Sequence, residues 1–254
     1  MALGGESEGD RGYRIYVQEG AVLNDRNKEA YTHNETKSMS KKLPKGEDDR
    51  IAVTKFMCDT YYDIRTFGAV MTTEVNCGLV RGPVQLCFSR SVEPVLPQEM
   101  GITRMAVTNE KDAEKERTMG RKQYIPYGLY RLEGFVSAPL AAKSGFSQED
   151  LDLLWEALMN MFECDRSSSH GLMTSRRLVV FKHDSTLGNA ASRSLFDLVT
   201  ESRVTEGPAR SYGDYSIDLD AASLPRGVVS ETFEDGVALR EARLARRGSG
   251  GAVR

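Results

Sequence analysis

No uninterrupted apolar run in the sequence approaches the ~20 residues needed to cross a bilayer, so no transmembrane helix and no membrane partner is expected. The opening MALGGESEGD lacks the basic and apolar regions of a signal peptide, and residues 1–11 read as a disordered tail. Cysteine is scarce: Cys58, Cys77, Cys87 and Cys164 form no C-x-x-C pair or other metal-ligand spacing. Reduced, mostly buried thiols in a cytoplasmic protein are the expectation. Only three histidines occur, His33, His170 and His183, far apart in the chain. There is no G-x-S-x-G, no H-E-x-x-H, no P-loop and no R-G-F-G-F-type sheet motif for stacking bases. Excess charge of one sign is also missing: 34 basic against 37 acidic residues give a net −3. No global basic field attracts nucleic acid, and any such contact must be local.

What is present describes an α+β chain. YRIYV at 13–17 alternates like a short strand, and residues 25–31 suit a helical turn. Asp48 or Asp49 can cap a helix over 50–62. Residues 65–76 and 83–92 then read as two antiparallel strands, with turn residues between them at 78–82. A third strand-rich segment, 124–137, is broken by Pro126 and Gly128. The clearest helix lies within 145–162, where Ser147 and Asp150 have capping-box spacing. Leu151, Leu154, Trp155, Leu158 and Phe162 give it one apolar, core-facing stripe. A strand at 177–182, a short helix at 192–199 and an edge strand at 212–219 follow. Acids at the start and arginines at the end suit a last helix over 231–247, with a loose tail after it. Helix, two strands, a large insertion, helix and strand together suggest a ferredoxin-like α+β sandwich.

The insertion, residues 97–134, is unusual for its length. Hairpin connections commonly take two to five residues, and longer ones tend to be functional or disordered. Its middle carries Arg104, Lys111, Lys115, Arg117, Arg121 and Lys122, mixed with Glu110, Asp112, Glu114 and Glu116. A second cluster, Lys37, Lys41, Lys42 and Lys45, has no acid until Glu47. Each admits two readings: a solvated polar loop, or a surface that grips a polyanion. Interleaved Met105, Met119, Tyr124, Tyr127 and Tyr130 suit the tracking of a single-stranded backbone. His183 and Asp184, at a strand end, are the best-placed acid/base candidates, although such a histidine is more often a local hydrogen-bonding group. Cys164-x5-His170 is too weak a spacing to define a metal site.

Several collinear blocks point to one family: FGAVM (67–71), GPVQ (82–85), GITRMAVTNEKD (101–112), MGRK with YIPYGLYR (119–131) and VVFKHDSTLGNA (179–190). Over residues 12–224 the chain resembles the CRISPR RNA-binding backbone subunit of type I-C Cascade, a member of the RAMP superfamily. The resemblance implies a single RRM-like palm domain over 12–230, a finger-like insertion near 32–50 and a β-hairpin thumb over about 97–123. It implies several copies stacked in a helical filament along the spacer of a CRISPR guide RNA. Other Cascade subunits would join them, and target DNA would be met through the guide. Lys37, Lys41, Lys42, Lys45, Arg104, Lys111, Lys115, Arg117, Arg121 and Lys122 become candidate RNA contacts. No catalysis, metal or cofactor is implied; the alternative is a metal-dependent RNA endonuclease of the related type III kind. Family members open with a palm strand and a loop rich in Asn, Gly, Asp and Pro. MALGGESEGD stands there instead, so that strand is expected to be missing.

Overall fold

The computed structural model describes residues 12–36, 39–110, 119–234 and 239. Three helices come first: α1 (Leu23–His33), α2 (Glu47–Thr60) and α3 (Tyr62–Phe67). Glu47, Asp48 and Asp49 fill the first turn of α2, where acids oppose the helix dipole, while Gly46 takes the N-cap position. The expected opening strand at 13–17 reduces to a single bridge between Arg14 and Tyr61.

Strands β1 (Gly68–Thr72) and β2 (Asn76–Arg81) form an antiparallel hairpin against these helices. This corrects the expected pairing of 65–76 with 83–92. Residues 62–67 are helical, and 78–81, read as a turn, lie inside β2. Residues 78–82 supply turn-type glycines, but Gly68 and Gly82 also suit close backbone approach beside strands, and that is the role they take. A Cβ on Gly82 would sit 2.2 Å from the Phe67 carbonyl carbon, and Gly68 (φ +82°) abuts the Val80 oxygen. Ala30, Tyr31, Val53, Met57, Tyr61, Ile64, Met71 and Cys77 form the main core between helices and hairpin. Asn27 is buried with them. It bonds the Val75 oxygen and the Thr73 hydroxyl, and accepts from Tyr16, so the β1–β2 turn is fixed to α1.

Next come β3 (Val84–Leu86), β4 (Arg90–Ser91), β5 (Gln98–Thr103), β6 (Met119–Tyr124), β7 (Tyr130–Arg131) and β8 (Gly134–Val136). They nest: β5 pairs with β6, β4 with β7 and β3 with β8, all antiparallel. The excursion is therefore the outer end of one long, interrupted hairpin. After it come α4 (Ala138–Ser144) and α5 (Gln148–Asn160). The capping box at Ser147 and Asp150 forms as its spacing predicts. Leu154 is buried with Val84 and Phe146, and Leu151, Trp155 and Leu158 pack on them.

The remainder comprises β9 (Leu178–His183), α6 (Ser192–Phe196), β10 (Val199–Arg203), β11 (Tyr215–Leu219) and β12 (Val228–Phe233). Strand β10 pairs with β11, and β12 with β9. Residues 231–233, expected to start a helix, are the end of β12. Glu231 faces Val180 in the ladder and pairs with Lys182 of β9, so its charge serves a sheet and not a helix dipole. Apart from Leu239, the rest of that expected helix lies outside the described residues, as do residues 1–11. The chain is thus α+β, a palm-like body of antiparallel strand pairs and helices with a hairpin arm. No helix among the described residues is long and apolar enough to cross a membrane.

Candidate nucleic-acid interface

The arm is built by β5 and β6, whose register runs from Gln98↔Tyr124 to Thr103↔Met119. All six residues of β5 are exposed, whereas Lys122 and Tyr124 of β6 are half-buried. Alternation puts Met100, Ile102, Lys122 and Tyr124 on one face, and Glu99, Thr103, Met119 and Arg121 on the other. Tyr124 Oη donates to Gln98 Oε1 at 2.9 Å across the first face.

The two adjacent cations therefore point opposite ways. Arg121 is 80% exposed and lies 3.5 Å from Glu99, a loose surface pair. Lys122 is half-buried, and its Nζ donates to Ser168 Oγ at 2.6 Å. Arg104, just beyond β5, is exposed and has no ion-pair partner among the described residues. Lys111, Lys115 and Arg117 lie outside the described residues. Met105 and Met119 are largely exposed on the arm.

At the root of the arm lies a cleft of about 730 Å³ whose walls include Glu93, Tyr124, Tyr127, Arg203, Arg210 and Tyr215. Glu93 Oε2 accepts from Arg203 Nη1 at 2.7 Å and from the Tyr215 hydroxyl, and these bonds hold its pKa below the usual range. Burial, with Glu93 as its neighbour, pushes Tyr215 up to about 12. Asp214 accepts from the backbone N–H groups of Arg210 and Ser211 and from the Thr205 and Ser211 hydroxyls, which holds it at about 2. The acid in the cleft wall, Glu93, is thus paired with a cation and a hydroxyl, and Asp214 beside the cleft accepts four hydrogen bonds. Tyr124 and Tyr127 were legible as suited to tracking a single strand; the Glu93–Arg203–Tyr215 group was not, because Glu93 lies 110 and 122 residues from its two partners.

The lysine cluster sits elsewhere. Asn76, at the start of β2, donates its N–H to the Ser40 carbonyl and its side-chain amide to the Lys41 carbonyl, both at 3.0 Å. Pro44 is buried, while Lys41, Lys42 and Lys45 are exposed without ion-pair partners among the described residues. A pinned backbone thus presents three uncompensated ammonium groups; Lys37 lies outside the described residues.

His183 and Asp184 serve the loop that follows β9. Asn189 N–H donates to His183 Nδ1 at 2.9 Å, and Asn189 Nδ2 donates to Asp184 Oδ1 at 2.5 Å. Both are local hydrogen-bonding groups, the plainer of the two readings. Cys164 is exposed, and His170 contacts Ser167 and Asp165. Among the described residues, no three His, Cys, Asp or Glu side chains are placed to hold a metal ion.

Residues 3–220 match the model of the family described as CRISPR-associated protein Cas7. Among solved structures, a chain of a "CRISPR RNA-guided surveillance complex, pre-nicking" is similar at 15% identity and a TM-score of 0.40. The similarity covers 68% of this chain and 46% of that one. No curated protein sequence matches.

Proposed function

The chain belongs to the Cas7 family of CRISPR-associated proteins, and on that premise we propose that it is a backbone subunit that binds guide RNA in a type I-C Cascade complex. Copies of it stack along the spacer of the guide with other Cascade subunits at the ends, and target DNA is met by base pairing to that guide. The observation that carries this reading is the largely exposed β5–β6 arm, which presents Arg121 on one face and Lys122 on the other. A protein that delegates sequence reading to base pairing needs backbone contacts and no base-specific code. The ammonium groups of Lys41, Lys42 and Lys45 add a second set of such contacts. In this reading the subunit holds RNA and does not cut it.

RNA binding in a salt series tests the proposal. Affinity is expected to fall by about 0.7 log units per log unit of salt for each phosphate neutralised. Lys41→Ala/Lys42→Ala and Arg121→Ala/Lys122→Ala should each weaken retention of guide RNA without favouring any sequence. Unchanged salt dependence in both would sink the assignment of these contacts. Regularly spaced cuts in complementary RNA, seen on incubation of the complex with Mg²⁺, would point instead to the endonuclease alternative.

A further inference from the structure

The loop after α5, residues 164–171, drew notice in the sequence only for its weak Cys164-x5-His170 spacing, yet it meets the arm. Its shape is set by its own polar groups. Ser167 Oγ contacts His170 Nδ1 at 2.9 Å and Ser169 Oγ at 3.2 Å, and it accepts from Ser169 N–H at 3.3 Å. His170 Nε2 lies 3.3 Å from Asp165 Oδ1, and Arg166 Nη1 donates to the Gly171 carbonyl at 2.6 Å. A Cβ at Gly171 would stand 2.7 Å from the Ser167 carbonyl oxygen, so only glycine lets the loop close this way. Ser168, left out of this ring, turns its hydroxyl to Lys122 of β6.

That contact differs in kind from the three lysine ion pairs of the described residues. Lys28, Lys55 and Lys182 each have a carboxylate partner, namely Asp25, Asp59 and Glu231. Lys122 is half-buried, yet the partner that it holds is a neutral hydroxyl. An ammonium has three donors, and a hydroxyl that accepts one of them keeps its own proton to give. The pair therefore offers N–H donors, one O–H donor and an uncompensated positive charge at one point. The carboxylate within the loop, Asp165, is directed at His170.

We infer that Lys122 and Ser168 form the two jaws of a clamp for one phosphate of single-stranded RNA, with the 164–171 loop as a preformed seat at the side of the arm. The inference rests on the RNA-binding reading above and adds a second element of the body to it. A phosphodiester oxygen would replace neither partner; it would accept from both, which a carboxylate already in place would forbid. Backbone contacts of this kind set position and carry no sequence preference.

The test uses the full-length protein, a fluorescent oligouridylate and a salt series. Lys122→Met is expected to weaken binding roughly tenfold and to reduce the salt slope by about 0.7, the loss of one phosphate contact. Lys122→Arg should retain most of the affinity. Ser168→Asp separates the clamp from a merely structural link. It keeps the arm tethered to Lys122 through an ion pair but fills the anion site, so it should bind as poorly as Lys122→Met. Wild-type affinity and slope in Ser168→Asp would overturn the clamp and leave Ser168 as a prop for the arm. Circular dichroism of each variant shows whether it is folded, and Lys122→Arg stands as the reference if Lys122→Met is not. If the unmodified chain fails to bind oligouridylate, the RNA-binding reading falls and takes the clamp with it.

Discussion

Arg65 of α3 and Asp150 of α5, both fully buried, are joined by two hydrogen bonds to a single carboxylate oxygen: Nη2 to Oδ1 at 2.8 Å and Nε to Oδ1 at 3.1 Å. The other oxygen, Oδ2, takes the Ser147 N–H at 2.9 Å and closes the capping box of α5. Arg65 Nη1 donates to the Gly12 carbonyl at 2.6 Å, and the guanidinium stacks near the rings of Tyr13 and Tyr62. One ion pair thus connects the helical core, the α5 layer and the start of the described chain. Removing either charge leaves the other buried and unpaired. Arg65→Met or Asp150→Asn is expected to cost about 3–5 kcal/mol, read as a lowered midpoint in urea denaturation. Asp150→Asn should be the worse of the two if the lost cap adds to the lost pair.

How much of this was legible varies with distance along the chain. The α5 cap could be read because Ser147 and Asp150 are three residues apart and the apolar stripe follows at once. The length of the excursion alone left a solvated loop and a gripping arm open, because the strands are too polar to announce their period; the hairpin was implied only by the family resemblance. Arg65 and Asp150 could not be read as a buried pair, since each looks like an ordinary surface charge in its local context. The same holds for Glu231, which looked like a helix-starting acid until β9 supplied Lys182 opposite it. Strand β2 was hidden for another reason: residues 78–82 read as a turn, although Gly68 and Gly82 could be read as close backbone approaches, which they are.

Strong acid should weaken the turn at residues 210–214. Asp214 is held at about 2 against an ordinary 3.8 by donors from Arg210, Ser211 and Thr205. Its folded-state pKa is depressed, so the unfolded chain binds more protons between these values. The stability that it contributes is present above about pH 4 and is lost as pH falls through 2. Wild type and Asp214→Asn should therefore differ in thermal midpoint at neutral pH and converge as pH falls through about 2. A gap that stays constant across this range would show that the carboxylate charge is not what holds the 210–214 turn.

Two glycines make a paired test of the β1–β2 hairpin and the arm. A Cβ on Gly82 would lie 2.2 Å from the Phe67 carbonyl carbon and 2.3 Å from Gly68 N, both backbone atoms. Neither can move aside as a flexible side chain would. Gly82→Ala should destabilise by about 1–3 kcal/mol in chemical denaturation, as overpacking does. At Gly101, on the arm, a Cβ would meet nothing within 4 Å, and the backbone there has no positive φ. Gly101→Ala should leave stability unchanged or raise it slightly, because the added methyl only restricts the unfolded chain.

The arm itself should be separable from the fold. Strands β5 and β6 pair with each other, and every residue of β5 is exposed. The core residues lie elsewhere, on α1–α3, β1–β2, β3 and α5. Replacing residues 99–123 by a short Gly/Ser linker between Gln98 and Tyr124, whose ends already face each other in register, removes no buried apolar side chain among the described residues. The loop-closure cost of such a change is a fraction of a kcal/mol, on the order of 0.6 per doubling of loop length. The thermal midpoint should stay within about 3 °C of the full chain, since surface changes away from packed features are usually within about 0.5 kcal/mol. Retention of guide RNA should collapse, because Arg104, Arg121 and Lys122 leave with the arm while Lys41, Lys42 and Lys45 remain. A truncated chain that still holds RNA with the full salt slope would place the binding surface on the lysine loop and the body. One that unfolds would show that the arm, exposed as it is, braces the palm through Lys122 and Ser168.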